Sequence, residues 1–349
     1  MGKDTAIDAL ALHHDATVVE LHNDLILLVD HMDDRRKPEH FREYWLPELR
    51  AGGVDVQVLP VSVEEKFQSE GALRRSLLLI ERLHRIVDEH PDELALCLTG
   101  ADVDAAVADG KIAFVIAIEG AHLLGQDPAL IRTLWRVGVR VLSYTHLGRT
   151  FMADGGGLDD TSNSRLTSHG IEVFREMERL GIVFDLSHLG AGGVDHVLEL
   201  ATRPLFATHS GCRAILDIHR NLSDDQIRRI AELGGVIGVP AAIPAFIDPA
   251  NPSADRVVDH VEHIASLTSF DHVAVGPDFV DDIYQTIYDG WVFPNLLEVP
   301  AGAGELARPS DLPKLTEAMV RRGFAEADIR KVLGENALRV LREVMGSPR

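Results

Sequence analysis

Eight short apolar runs, separated by amphipathic or turn-rich stretches, constrain this sequence more than any other feature. They fall at 18–25 (VVELHNDL), 54–63 (VDVQVLPVSV), 112–119 (IAFVIAIE) and 139–146 (VRVLSYTH) in the first half of the chain. The second half continues with 182–188 (IVFDLSH), 204–209 (PLFATH), 235–240 (GVIGVP) and 272–278 (HVAVGPD). Their Val, Ile and Leu content is nearly continuous rather than alternating, which suits strands covered on both faces, as in a parallel sheet. Repeated strand-then-helix order with eight strands predicts an α/β fold, a (β/α)8 TIM barrel, over a doubly wound sheet.

The intervening stretches carry helix signals. Residues 70–89 place Leu73, Leu77, Ile80, Leu83 and Val87 on one stripe and are stopped by Pro91. Residues 167–180 end at Gly181; residues 223–233 start at a Ser cap followed by acids and end at Gly234. Residues 325–345 read as a closing amphipathic helix, and 1–16 as an N-terminal extension. The segment 281–310 is long, rich in Gly, Pro and aromatics, and without clear period, which predicts a loop insertion at the active site. No linker divides the 349 residues and no internal repeat is present, so the whole of 1–349 is expected to form one domain with loop insertions.

Charge and cysteine content narrow the function. The net charge is −21 and the acids are spread along the chain, which disfavours nucleic acid and anionic membrane as partners. Cys97 and Cys212 are far apart and show no CxxC spacing, so neither a disulfide framework nor a thiolate zinc site is expected. A reducing cytoplasm fits best. The N-terminal residues lack the apolar core of a signal peptide and the Ser or Thr of a myristoylation signal, and no stretch approaches the roughly 20 apolar residues of a membrane span.

Polar residues fall in a telling place. His22 and Asp24 close the first expected strand, Glu119 the third, His146 the fourth, His188 the fifth, His209 the sixth and Asp278 the eighth. Barrel enzymes build their sites at the carboxyl ends of strands, so these side chains are expected to meet at one mouth. His22 and Asp24 are two apart, which on a strand would point both into the barrel. Imidazoles with carboxylates and no thiolates suit zinc or a related divalent ion. Three histidines and two carboxylates suffice for two ions if one carboxylate bridges them. Any one of these histidines alone is more often a hydrogen-bonded rim residue than a ligand. A buried HxD pair is harder to dismiss, and the whole set at one end of successive strands favours the collective reading.

Other residues earn blander readings. His13, His14, His31, His40, His84 and His90 are expected to be solvated, while His169, His196, His260 and His263 read as surface or satisfied packing positions on helices. Ser187 and Ser210 stand beside candidate ligands without a nucleophile signature. Gly155–Gly157 reads as a flexible loop rather than a phosphate cradle. Cys212 is expected to pack rather than react.

These residues also carry a resemblance. LHNDL at 21–25, IEG at 118–120, THLGRTFMADG at 145–155 and LTSHGIEVFREMERLGIVFDLSHLG at 166–190 resemble segments of the renal (membrane) dipeptidase family in the same order. So do ATHSGCRAILDIHRNLSDDQIRRIAELGGVIGV at 207–239, DHVAVGPDF at 271–279 and VLGENALRVLREV at 332–344. The resemblance implies a zinc-dependent dipeptidase, with two Zn2+ per chain bridged by Glu119 and a water or hydroxide. One ion would be held by His22, Asp24 and Glu119, and the second by Glu119, His188 and His209. His146 would steady the scissile carbonyl or oxyanion, Arg220 would grip the substrate's C-terminal carboxylate, and Asp278 would shuttle the proton. The implied substrate is a dipeptide, L,D forms being within the family's range, and relatives form homodimers.

Two departures sit near the candidate ligands or the substrate mouth. Leu21 replaces a glycine, and Val280–Asp281 follow PDF where the family commonly has DG. A binuclear hydrolase of an N-acyl amino acid, lactone or phosphoester, and a non-catalytic barrel, are the competing readings. A carboxylate-gripping Arg220 favours the dipeptidase, and the full set of ligands together with Asp278 weighs against a scaffold.

Overall fold

The computed structural model describes residues 7–63, 69–157, 163–287 and 304–346. Nine parallel strands alternate with helices: β1 (Val18–Glu20), β2 (Val54–Ser62), β3 (Leu94–Leu96), β4 (Ile112–Glu119), β5 (Val139–Ser143), β6 (Val183–Asp185), β7 (Phe206–Ala207), β8 (Val236–Val239) and β9 (Val273–Val275). Hydrogen bonding runs β2–β1–β9–β8–β7–β6–β5–β4, and β4 returns to β2 over the seven pairs from Val56↔Ala113 to Ser62↔Glu119, closing an eight-stranded barrel. The expected (β/α)8 TIM barrel is therefore the fold.

The ninth strand has no counterpart among the expected eight. β3 pairs with Ile112–Phe114 on the edge of β4 that β5 occupies only from Ile116 onward. Its three residues fill a gap left by the tilt of the barrel strands, and Leu-Ala-Leu has none of the β-branched residues that mark the expected strands.

Alternation sorts the wall into two cores. Val19, Leu21, Val56, Val58, Ala113, Val115, Ala117, Val141, Val183, Phe206, Val236 and Ala274 pack together as one buried cluster. Since the strands form a closed ring, this shared set is the lumen. The opposite residues, such as Phe114, Ile116, Ile118 and Leu142, join the larger cluster beneath the outer helices. Helix Ser69–Glu89 contributes Ala72, Leu79, Ile80, Leu83 and Ile86 to that layer. Its buried stripe is rotated from the expected one, since Leu73 and Val87 lie at its half-buried border. Helix Ser168–Leu180 ends at Gly181 with φ 70°, and helix Asp224–Glu232 starts with a capping box between Ser223 and Gln226, both as their sequence signals require.

The last helix is the stopper of the barrel. Residues 326–344 run through Glu326–Arg330, a wider π-type turn at Lys331–Glu335, and Asn336–Val344. Ala337, Leu338, Val340, Leu341, Val344 and Met345 extend the lumen cluster, so this helix seals the amino-terminal end. Asn336 Nδ2 donates to Phe270 O at 2.6 Å and to Val273 O at 2.8 Å, tying it to the foot of β9. Gly334 lets it lie against the first strand, because a Cβ there would stand 2.1 Å from Thr17 O.

Three expectations need correction. His13 is fully buried rather than solvated: its Nδ1 pairs with Thr316 Oγ1 at 2.7 Å and its Nε2 with Gly52 O at 2.9 Å. Helix Ala9–Asp15, which carries it, packs on helix Leu312–Arg321, so this part of the 1–16 extension belongs to the outer layer. Gly155–Gly157 is not a loose loop, because Gly155 bridges to Leu189 and a Cβ at Gly155 would lie 2.5 Å from Leu147 O and Gly148 O. In the 281–310 insertion, 281–287 form a helix and 288–303 lie outside the described residues. No helix among the described residues is long and apolar enough to cross a membrane.

Replacing Gly334 by Ala should force the closing helix off Thr17 and lower stability by about 1–3 kcal/mol. Chemical denaturation of the two proteins under one metal condition checks this, and an unchanged midpoint would show that the helix can shift without cost.

Candidate active site

The observed strands stop short of the residues expected to close them. β5 ends at Ser143, β6 at Asp185, β7 at Ala207 and β9 at Val275, so only Glu119 is itself a strand residue. His22, Asp24, His146, His188, His209 and Asp278 stand on the turns just beyond. The difference has a geometric reason. Val19 and Leu21 face the lumen, so a continued β1 would have turned His22 to the outer face. Instead the chain bends after Glu20. Asp278 N donates to His22 O at 3.2 Å, Asn23 makes a lone bridge to Phe279, and Asp24 leads into helix Leu25–Asp34. His22 and Asp24 do meet, with Nε2 to Oδ2 at 3.9 Å, on either side of the lone bridge at Asn23.

Two other site residues sit in the left-handed region, His188 with φ 66° and Asp278 with φ 62°. Such backbone costs about 1–3 kcal/mol at a non-glycine residue and persists only where neighbours impose it. His188 O accepts from Thr145 Oγ1 at 2.8 Å and from Gly156 N at 2.6 Å. Pro277 O, beside Asp278, accepts from Ala241 N and Ala242 N.

The side chains converge on Glu119. Its Oε1 lies 3.0 Å from His188 Nε2 and 3.5 Å from both His22 Nε2 and His209 Nε2. His188 and His209 bring their Nε2 atoms to 2.9 Å, and the His146 ring lies 4.7 Å from that of His188. Asp278 stands on the other side, with Oδ1 3.8 Å from His22 Nε2 and Oδ2 4.0 Å from His209 Nε2. Three overlapping groups have donor atoms within 4.8 Å of one another: His22, Glu119 and His209; Glu119, His146 and His188; His22, Asp24 and Asp278. Except for half-buried His146, all are buried.

Burial sets the electrostatics. It would raise the Glu119 carboxyl, but His22, His146 and the close imidazoles of His188 and His209 hold it well below the usual carboxylate range. Asp24 is pushed well up by burial, with Glu119 and Asp278 adding repulsion. Asp278 is raised to about 6, by burial above all, against the pull of His22 and with a further push from Glu119. His188 and His209 are held neutral, well below their ordinary value, by burial and by nearby Arg220. The buried His22 Nε2 and Asp24 Oδ1 have no hydrogen-bond partner. Neutral imidazoles and crowded carboxyls with orphaned donor atoms fit a divalent cation, which supplies the missing positive charge.

A second set of residues, of which Asp185 and Thr208 were not singled out by the sequence, orients the first. Asp185 Oδ1 accepts from Ser187 N and Thr208 N, both at 2.9 Å, and its Oδ2 accepts from Thr208 Oγ1 at 2.6 Å. With its proton given to Asp185, Thr208 Oγ1 receives the His209 Nδ1 proton at 2.8 Å, which leaves Nε2 as the free electron pair. Ser187 Oγ accepts from His209 N at 3.0 Å and stands 3.4 Å from Ser210 Oγ. Ser210 Oγ in turn accepts from Arg220 Nη1 at 2.9 Å, so neither serine is placed as a nucleophile. The alternation of the strand carried the signal for Asp185, two residues from lumen-facing Val183.

Arg220 is buried beside this cluster. Its Nη2 donates to His209 O at 2.6 Å, its guanidinium lies 5.2 Å from the centre of the Phe246 ring, and its buried Nε has no partner. Burial brings its pKa down to about 10, so it remains a cation. Cys212 is buried and its thiol is pushed up by burial, in keeping with a packing role.

A parallel barrel whose carboxyl-end turns gather imidazoles and carboxylates around one glutamate is the layout of a metal-dependent hydrolase. The family model for membrane dipeptidase (peptidase family M19) matches residues 7–347, and the chain belongs to that family of dipeptidase-type metallopeptidases. Dipeptidase verJ of Clonostachys rogersoniana is 30% identical over 282 residues, 81% of this chain and 67% of that protein. Dipeptidase tcpJ of Claviceps purpurea is 29% identical over 325 residues, 90% of this chain and 72% of that protein. Among solved structures, the M19 metallopeptidase dipeptidase AC superposes with a TM-score of 0.83 at 25% identity, covering 95% of this chain and 99% of that one. A Rhodobacter sphaeroides metallopeptidase, liganded with a phosphinate mimic of the dipeptide L-Ala-D-Ala, gives a TM-score of 0.80 at 25% identity, covering 94% and 99%.

Thr208→Val should leave the fold intact but weaken divalent-metal affinity by about 10–100-fold, because the tautomer of His209 is no longer fixed. Competition with a chelator measures it, and unaltered affinity would remove Thr208 from the support of the site.

Proposed function

We propose that this protein is a zinc-dependent dipeptidase that holds two Zn2+ and cleaves dipeptides bearing a free C-terminal carboxylate. The observation that carries the reading is the approach of three imidazole Nε2 atoms to within 3.5 Å of one Glu119 oxygen, with the Arg220 cation alongside. His22, Asp24 and Glu119 would hold one ion, and Glu119, His188 and His209 the other. Imidazoles with carboxylates, and no thiolates, favour zinc. A pair of ions so held would polarise the carbonyl and acidify a water.

The rest falls to the chain. His146, on the His188 side, is placed to donate to the oxygen that gains charge as the amide carbonyl becomes tetrahedral. Asp278, with a pKa raised to about 6, accepts a proton from the attacking water near neutrality and returns it to the leaving amine. Arg220 spends one N–H on Ser210 and one on His209 O and keeps others for a planar partner. A carboxylate matches that fork, which confines substrates to those with a free C-terminus. The Rhodobacter sphaeroides relative liganded with an L-Ala-D-Ala mimic supports including L,D-dipeptides in the range.

Metal analysis together with a panel of L,L- and L,D-dipeptides tests the proposal. Near two zinc per chain, with turnover abolished by a chelator, is the expected result. Metal without dipeptide turnover would move the search to N-acyl amino acids, which share the carboxylate, and then to lactones and phosphoesters, which lack it. Failure to bind zinc would end the reading. Asp278→Asn should cut kcat by about 100–10,000-fold with metal content retained; full activity in that variant would remove Asp278 from proton transfer.

A further inference from the structure

Arg220 is seated by two connections of the barrel. The one after β7 supplies the guanidinium as well as His209 O and Ser210 Oγ, and the one after β8 supplies the Phe246 ring from its short helix Pro244–Ile247. Two side chains tie the outer parts of these connections to one another. Asn221 Oδ1 accepts from Gly211 N at 3.1 Å, while its Nδ2 donates to Leu216 O at 3.0 Å and Phe246 O at 3.2 Å. His260 comes from helix Ala254–Leu267 and is fully buried. Its Nδ1 accepts from Cys212 N at 3.0 Å and its Nε2 donates to Ile247 O at 3.1 Å.

The hydrogen bonds of His260 define its state. A backbone N–H on one ring nitrogen and a carbonyl on the other require the neutral imidazole with its proton on Nε2. The ring then acts as a rigid spacer with a donor and an acceptor on opposite sides, a task no aliphatic side chain performs. The fit is close, since a Cβ on Gly211 would lie 2.7 Å from Asn221 Oδ1 and 2.9 Å from Phe246 O.

We infer that His260, assisted by Asn221, is a positioning residue for substrate recognition: it locks the turns after β7 and β8 together so that Arg220 presents its free N–H groups to the substrate carboxylate. The inference rests on the carboxylate-binding role proposed for Arg220. His260 itself touches neither substrate nor metal donors, so its loss acts on binding of the C-terminal residue rather than on the chemical step.

The test is a double-mutant cycle on the zinc-loaded enzyme with dipeptide substrates, using His260→Leu, His260→Gln, Arg220→Lys and the combinations. His260→Leu should raise KM about tenfold with kcat within about threefold and zinc content unchanged. His260→Gln, which keeps a donor and an acceptor, should recover part of the loss. His260→Leu should add little to Arg220→Lys, because both act through one contact. An unchanged KM, or a penalty that adds in full to that of Arg220→Lys, would overturn the inference while leaving Arg220 in place. Arg220→Lys with unaltered KM would overturn the carboxylate reading itself, and this inference with it. If His260→Leu does not fold, Asn221→Ala takes its place in the same cycle with the same expected outcomes.

Discussion

The mouth of this barrel depends on one buried carboxylate among imidazoles. Glu119 arrives on β4, the longest strand after β2 and the one that closes the ring, so its backbone is the most firmly held of any donor's. An unpaired carboxylate at that depth would cost several kcal/mol. The rings of His22, His146, His188 and His209 keep it ionised, and the surrounding turns take the shapes that bring those rings in. The left-handed backbone at His188 and the bend after Glu20 follow from this demand rather than from local preference.

Support spreads outward along a chain of hydrogen bonds. Asp185 receives the Thr208 hydroxyl, which fixes the proton on His209; the two serines then continue the chain of oxygens to Arg220. Through these contacts the proposed metal-facing and carboxylate-facing halves share one hydrogen-bonded floor. A change in any member is felt by both, and effects of neighbouring substitutions should not be additive.

Much of this was legible in the sequence, for physical reasons that also explain what was not. Buried parallel strands write themselves as β-branched apolar runs, so eight of the nine could be read, whereas Leu94–Leu96 has no β-branched residue to announce it. The acids and histidines that cluster at the mouth could be picked out because such residues at the ends of apolar runs are costly without a purpose. Where each strand stops was hidden, since left-handed turns at His188 and Asp278 carry no glycine to mark them. His13 was misjudged because its partners, Thr316 and Gly52, are distant in sequence, and Thr208 looked like an ordinary strand residue until Asp185 stood opposite it.

The closing helix gives the molecule a direction in time as well as in space. The outer layer can begin to assemble as soon as neighbouring strands and helices exist, because its contacts are with adjacent units. The lumen is different: Val19 and Leu21 share a cluster with Leu341 and Met345, which lie more than three hundred positions later in the chain. Such contacts form last, after the loop-closure entropy of almost the entire sequence has been overcome. The barrel therefore stays an unsealed tube at its amino-terminal end until that helix packs, and a substitution that loosens the seal would slow folding without ever touching the mouth.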